Sequence, residues 1–149
     1  MKYYLKIMLL ALVPFCAPGM HAQGPSNITV FYEDGFPSAD APVPDREILR
    51  KSFDRATFAT TEQLEKALTS PKGHLLVLPF GSAFPESRWR SILNFLDDGG
   101  SLLVVGGQPF TRPAYKDQSG WHLRTHTTGF SLELFIDDYQ ETPGSDRLR

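Results

Sequence analysis

Cysteine is almost absent from this chain of 149 residues. The single cysteine, Cys16, lies within the first 22 residues, which we interpret as a segment that is removed on export. The mature protein is therefore expected to contain no disulfide, no thiolate metal ligand and no cysteine nucleophile. A secreted protein without disulfides relies on its hydrophobic core for stability.

The amino terminus also lacks a long apolar run. Residues 1–22 have instead the layout of a secretory signal peptide. Lys2 and Lys6 form a basic region before a short apolar stretch at residues 7–13, and Ala22 is a small residue suited to cleavage. That stretch is shorter than the roughly 20 residues that span a bilayer, so an uncleaved amino-terminal anchor is the less favoured alternative. We expect a secreted or periplasmic protein with no membrane span after cleavage.

The chain has no excess of basic residues. It contains 15 lysines and arginines and 17 aspartates and glutamates, which gives a formal net charge of −2. Loss of the signal peptide makes the chain more acidic. Nucleic acid is therefore not an expected partner. The glycine pair Gly99-Gly100 follows a predicted helix rather than preceding one, so it does not form a phosphate-binding loop. We expect no cofactor.

Hydrophobic patterning predicts alternating strands and helices. The strands are expected at residues 28–32, 56–59, 75–78 and 101–105, and the helices are expected to begin at Pro44-Asp45, Thr60 and Pro85. The last two strands are continuous apolar runs, which are typical of strands covered on both faces. The side chains expected to be buried are Ile48, Leu49, Phe53, Leu64, Ala67, Leu68, Leu76, Leu78, Trp89, Ile92, Leu93, Leu96, Leu103 and Val105.

This order of elements predicts an α/β domain over residues 23–140, followed by a polar tail at 141–149. We expect an open three-layer sandwich of the flavodoxin-like type, with a mostly parallel four-stranded sheet and helices on both faces. Residues 108–128 are expected to be irregular, and a last apolar cluster follows at Phe130, Leu132, Leu134 and Phe135. A complete doubly wound domain has a further strand and helix. We therefore expect a truncated domain, or the front part of a longer protein, whose open sheet edges favour self-association.

Three features of this pattern resemble the class I glutamine amidotransferase-like superfamily over residues 27–140. They are the βαβ unit of residues 74–107, Phe80-Gly81-Ser82 after the third strand, and Gly106-Gly107 after the fourth. More narrowly, the chain is similar to accessory domains of this kind in secreted bacterial carbohydrate-active proteins. Active members carry a cysteine nucleophile in a glycine-flanked elbow, whereas this chain has Gly106-Gly107-Gln108-Pro109 at the end of that strand. The resemblance implies a non-catalytic structural or binding module, whose partners are carbohydrate or an attached or associated catalytic domain.

Ligands of open parallel sheets bind outside the carboxyl ends of the strands. Three loops are expected there, and they contain the candidate ligand-binding residues Glu33, Asp34, Ser82, Gly106, Gly107 and Gln108. The polar side chains are suited to sugar hydroxyls, and the glycines would let a ligand approach the backbone. The competing interpretation, which we prefer, is that the glycines only form tight turns and the acids are solvated.

A small secreted hydrolase is the alternative function, with Ser82 or a carboxylate acting beside His122 or His126. The segment Gly81-Ser82-Ala83-Phe84 lacks the second glycine of the hydrolase elbow, and capping of the following helix is a simpler role for Ser82. His122 and His126 lie four residues apart, but their segment has neither a helical pattern nor an adjacent acidic ligand. We therefore expect no catalytic residues and no metal site.

Overall fold

The computed structural model describes residues 27–133 and shows an α/β fold with two sheets. The main sheet has four strands, all parallel, in the order β2-β1-β3-β5, which is consistent with a flavodoxin-like open sandwich. The elements are β1 (Asn27–Phe31), α1 (Arg46–Ser52), β2 (Thr57–Ala59), α2 (Thr61–Ala67), β3 (His74–Leu78), β4 (Ala83–Pro85), a 3₁₀ turn (Glu86–Arg88), α3 (Trp89–Asp97), β5 (Ser101–Val104), β6 (Arg112–Asp117), β7 (Gly120–Leu123) and α4 (Gly129–Glu133). The predicted fold class is thus confirmed.

The two faces of the main sheet are covered by different helices, as predicted. Alternate residues of a strand point to opposite faces. Phe31, Leu76 and Leu78 pack with the buried residues of α2 and α3 in the larger core cluster. Val30 and Val77 pack with Leu49 of α1 in a smaller cluster on the other face.

Local signals set the ends of the helices. The Asp45 carboxylate accepts hydrogen bonds from the backbone N–H groups of Glu47 and Ile48, at 2.8 and 3.0 Å, and so caps α1. The Gln63 side chain accepts from the backbone N–H of Thr60 at 3.1 Å, as the predicted capping box requires. The carboxyl end of α3 is followed by Gly99, which has a φ of +94°. The predicted starts of the first two helices and the predicted stop of the third are confirmed.

The prediction that residues 108–128 are irregular was wrong. Strands β4, β6 and β7 form a second sheet in that order, in which β4 and β6 are parallel and β6 and β7 form an antiparallel hairpin. The predicted helix start at Pro85 holds only for a 3₁₀ turn, whose N-cap is Pro85, because Pro85 also ends β4 and the α-helix itself begins at Trp89. The partner that makes residues 83–85 a strand lies almost 30 residues further along the chain, beyond the reach of local patterning.

The burial predictions hold for the centre of the sheet and fail at its edge. Leu76 is completely buried and Leu78 is 2% exposed, but Leu103 and Val105 are 40% and 44% exposed. Strand β5 is an edge strand, and the helix that follows it within residues 27–133, α4, packs Phe130 against the larger core cluster rather than over the face that α1 covers elsewhere. Ile48 of α1 is also exposed. The prediction of burial was wrong for these three residues.

The stripe along α3 is buried as predicted at Trp89 and Ile92, while Leu93 and Leu96 are half-buried and Phe95 is buried instead. In the last predicted apolar cluster, the ring of Phe130 packs 5.3 Å from that of Trp89, but Leu132 is exposed. Residues 134, 135 and 141–149, and the proposed signal peptide, lie outside the described residues. Between residues 27 and 133, no helix is long and apolar enough to cross a membrane.

Candidate functional site

Ser82 joins three loops at the carboxyl edge of the main sheet. Its hydroxyl donates a hydrogen bond to Asp40 Oδ2 at 2.6 Å and accepts one from the backbone N–H of Gln108 at 2.7 Å. Its own backbone N–H donates to the carbonyl oxygen of Ala39 at 2.9 Å. Ser82 is 1% exposed, whereas Asp40 and Gln108 are exposed, so the two hydroxyl bonds are shielded from water on the side of Ser82. The prediction that Ser82 caps a helix was wrong, because its side chain ties loops together instead.

Two glycines make this close contact of loops geometrically feasible. Gly81 and Gly107 have φ angles of +66° and +67°, in the left-handed region that favours glycine. A Cβ atom at Gly81 would overlap the carbonyl oxygen of Ala39, and one at Gly107 would overlap the Ser82 hydroxyl. Packing between loops therefore accounts for both glycines without a ligand.

Glu33 holds a second position at the same edge, two residues beyond β1. Its Oε2 accepts the backbone N–H of Thr61 at the start of α2, at 3.0 Å. Its Oε1 accepts from Lys116 Nζ and from Trp121 Nε1, each at 3.3 Å. The side chain is only 16% exposed. Burial by itself raises the pKa of Glu33, but the hydrogen bonds from Thr61 and Lys116 outweigh it and leave that pKa below its usual value.

A cavity of 310 Å³ opens beside Glu33, and we call it the Glu33 cleft. It lies between the start of α2, the 3₁₀ turn and the β6–β7 hairpin, and the residues that define its chemistry are Glu33, Glu62, Glu86, Tyr115, Lys116 and Trp121. Glu86 Oε2 accepts a hydrogen bond from Arg124 Nε at 2.7 Å, and the Arg124 guanidinium lies 4.5 Å from the centre of the Tyr115 ring. The cleft therefore combines two aromatic rings with carboxylates, of which Glu33 and Glu86 are held in place by hydrogen bonds.

The structure separates the six candidate residues of the sequence into four groups. The first group is the loop contact, which contains Ser82, Gly107 and Gln108. Gln108 takes part through its backbone N–H, and the residue itself is exposed. Gly106 is also exposed and lies beside Ala41. Asp34 has a side chain that is 86% exposed, with Arg46 4.0 Å away. Glu33 alone lines the cleft.

The histidines of the alternative hydrolase lie on and after the β6–β7 hairpin. His122 Nε2 is 2.8 Å from Ser119 Oγ and 3.1 Å from Asp117 Oδ1, and hydrogen bonds from Ser119 and His122 lower the pKa of Asp117. A catalytic triad places its serine and its acid on different imidazole nitrogens, whereas here both partners use the same one. His126 is exposed. Within residues 27–133, no three histidine, cysteine or acidic side chains are grouped to bind a metal.

Sequence reasoning missed five residues of the cleft, Glu62, Glu86, Tyr115, Lys116 and Trp121. Three of them lie on the β6–β7 hairpin, which was predicted to be irregular. A signal for the hairpin is present, because aromatic residues flank the turn sequence Asp117-Gln118-Ser119-Gly120.

Comparison of the chain with protein-family models, with curated proteins and with solved structures gives no match to any of them.

Proposed function

We propose that this chain is a non-catalytic α/β module of an exported protein, with a structural or carbohydrate-associated role beside a catalytic domain. The observation that carries the proposal is the state of Ser82, the serine that the sequence placed at the carboxyl edge. Its hydroxyl is buried and bonded on both sides, to Asp40 and to Gln108, and neither bond involves a histidine. A serine nucleophile requires an adjacent base and access to substrate.

The resemblance to the class I glutamine amidotransferase-like superfamily agrees with this proposal. The strand that carries the cysteine nucleophile in active members is followed here by Gly106-Gly107-Gln108. These residues supply backbone contacts to the neighbouring loops rather than a reactive side chain. The same edge of the sheet that would hold an active site is therefore used to pack loops.

The state of Glu33 is suited to binding rather than to acid catalysis. Glycosidases need one carboxyl group that stays protonated near neutral pH as a general acid, which requires a raised pKa. The pKa of Glu33 is instead lowered, so Glu33 does not fill that role and accepts hydrogen bonds as an ionised carboxylate at neutral pH. A fixed carboxylate of this kind is suited to orienting a ligand.

The proposal is tested by activity screens on the purified protein and its Ser82→Ala variant. Aryl glycosides, short-chain esters and glutamine should all be turned over at the rate of a buffer blank, with no difference between the two proteins. Turnover that Ser82→Ala abolishes, while Ser119→Ala retains it, would move the chain to the hydrolases. Mass spectrometry of the exported protein tests the other half of the proposal, since a first residue at or near Gln23 is expected and an intact Met1 contradicts export by cleavage.

A further inference from the structure

Two of the three carboxylates of the Glu33 cleft are already paired with cations. Glu33 is bonded to Lys116 and Glu86 is bonded to Arg124, while Glu62 also lines the cleft. An anionic ligand would face three carboxylates, and a cationic ligand would have to displace Lys116 or Arg124 to reach Glu33 or Glu86. The lining therefore disfavours an anion, and it disfavours a cation at every carboxylate except Glu62.

The paired groups retain capacity for further hydrogen bonds. An ionised carboxylate has about four acceptor positions, and a lysine ammonium has three donors. Glu33 uses three positions, Glu86 uses one, and Lys116 donates one bond to Glu33. The remaining acceptors and donors match a neutral molecule that carries several hydroxyl groups.

Size and shape agree with a small ligand. The volume of 310 Å³ is at the lower end of the range of about 300–1,000 Å³ for small-molecule sites. The base of the cleft is rigid, because Glu33 is mostly buried and the Trp121 ring packs 4.8 Å from that of Phe36. Lys116 at the rim is 58% exposed and is accessible to a ligand.

We propose that the Glu33 cleft binds one or two residues of a neutral saccharide, an inference that rests on the proposed carbohydrate-associated role. Glu33 and Glu86 accept hydrogen bonds from ring hydroxyls, Lys116 donates one, and the Trp121 indole forms the apolar wall. The site differs from the Ser82 loop contact at the same edge of the sheet, since Ser82 is buried and does not line the cleft.

The test is a calorimetric titration of the purified protein with cellobiose, xylobiose, lactose and diacetylchitobiose, and with 1,4-diaminobutane as a cationic probe. At least one disaccharide should bind in the millimolar range, more tightly than the diamine. Glu86→Ala should weaken this binding about tenfold or more, because a bond to a charged group is lost. Glu65→Ala is the matched control: Glu65 also pairs with an arginine, Arg88, but lies outside the cleft, so affinity should not change.

Fluorescence gives a second measurement, because the chain has two tryptophans and Trp89 is buried in the core. The disaccharide that binds should change the emission of the wild-type protein and have no effect on Trp121→Phe. Circular dichroism checks that each variant is folded. If no disaccharide binds, or the diamine binds more tightly, the inference is overturned while the non-catalytic assignment stands. If binding persists unchanged in Glu86→Ala and Trp121→Phe, the saccharide site lies elsewhere and only the placement in this cleft fails.

Discussion

Truncating the same residue type on two adjacent strands should have very different effects on stability. Leu76 lies on the central strand β3 and is completely buried, whereas Leu103 lies on the edge strand β5 and is 40% exposed. Removing three carbons at about 0.8 kcal/mol each predicts a transfer loss of about 2.4 kcal/mol for Leu76→Ala. The cavity left in the core adds to this, so the total should fall within about 2–5 kcal/mol.

For Leu103→Ala the loss should be smaller, because water can occupy the vacated space. With 40% of the side chain already exposed, the transfer loss is about 1.4 kcal/mol at most, with no closed cavity. Urea unfolding followed by circular dichroism measures both values. At a slope of about 1–3 kcal/mol/M, the two variants should differ by on the order of 1 M in midpoint. Equal shifts, or a larger shift for Leu103→Ala, would refute the assignment of β5 as an uncovered edge strand.

Three further predictions concern the carboxyl edge of the sheet. Ser82→Ala should lower the free energy of unfolding by about 1–2 kcal/mol, because it removes the hydrogen bonds of the Ser82 hydroxyl to Asp40 and Gln108, two exposed residues whose freed groups water can reach; a loss within the error of a urea melt would show that the loop contact is not structural. Gly107→Ala should cost more than Gly99→Ala in thermal melts, since both glycines have positive φ but only Gly107 has a neighbour where a Cβ would lie; equal costs would contradict the close contact with Ser82. Because folding lowers the pKa of Glu33, its ionised carboxylate stabilises the fold at pH values above 4.5, the usual pKa of a glutamate. This stabilisation should be lost as the pH falls through the lower pKa of the folded state. Glu33→Gln should therefore show a smaller drop in melting temperature than the wild type below that pH, and an unchanged pH profile would count against the Glu33 contacts.

Within residues 27–133 nothing covers the face beside β5, which explains why the chain should have a tendency to associate. Strand β5 carries no charged residue, and Leu103 and Val105 are exposed on the face that α1 covers near the other edge. Unprotected edge strands of this composition pair readily with other chains. Sedimentation of the purified protein over a concentration series tests whether association occurs.

Several features of this fold could be predicted from the sequence because their causes are local. The apolar run at residues 75–78 predicts a doubly covered strand wherever it pairs. Asp45 and the Thr60–Gln63 pair cap helices through bonds that span two or three residues. The absence of cysteine after Cys16 shows without any structure that residues 17–149 contain no thiol nucleophile.

The tertiary structure alone decided which strands are central, which loops touch and where the cleft lies. An apolar run at residues 101–105 has the same composition as a buried strand, and only the sheet order shows that β5 is at the edge. Residues 83–85 become a strand through pairing with β6, and Glu33 meets Trp121 across 88 residues of chain. Local propensity carries no information about such distant partners, because their contact depends on how the whole sheet and the hairpin pack together.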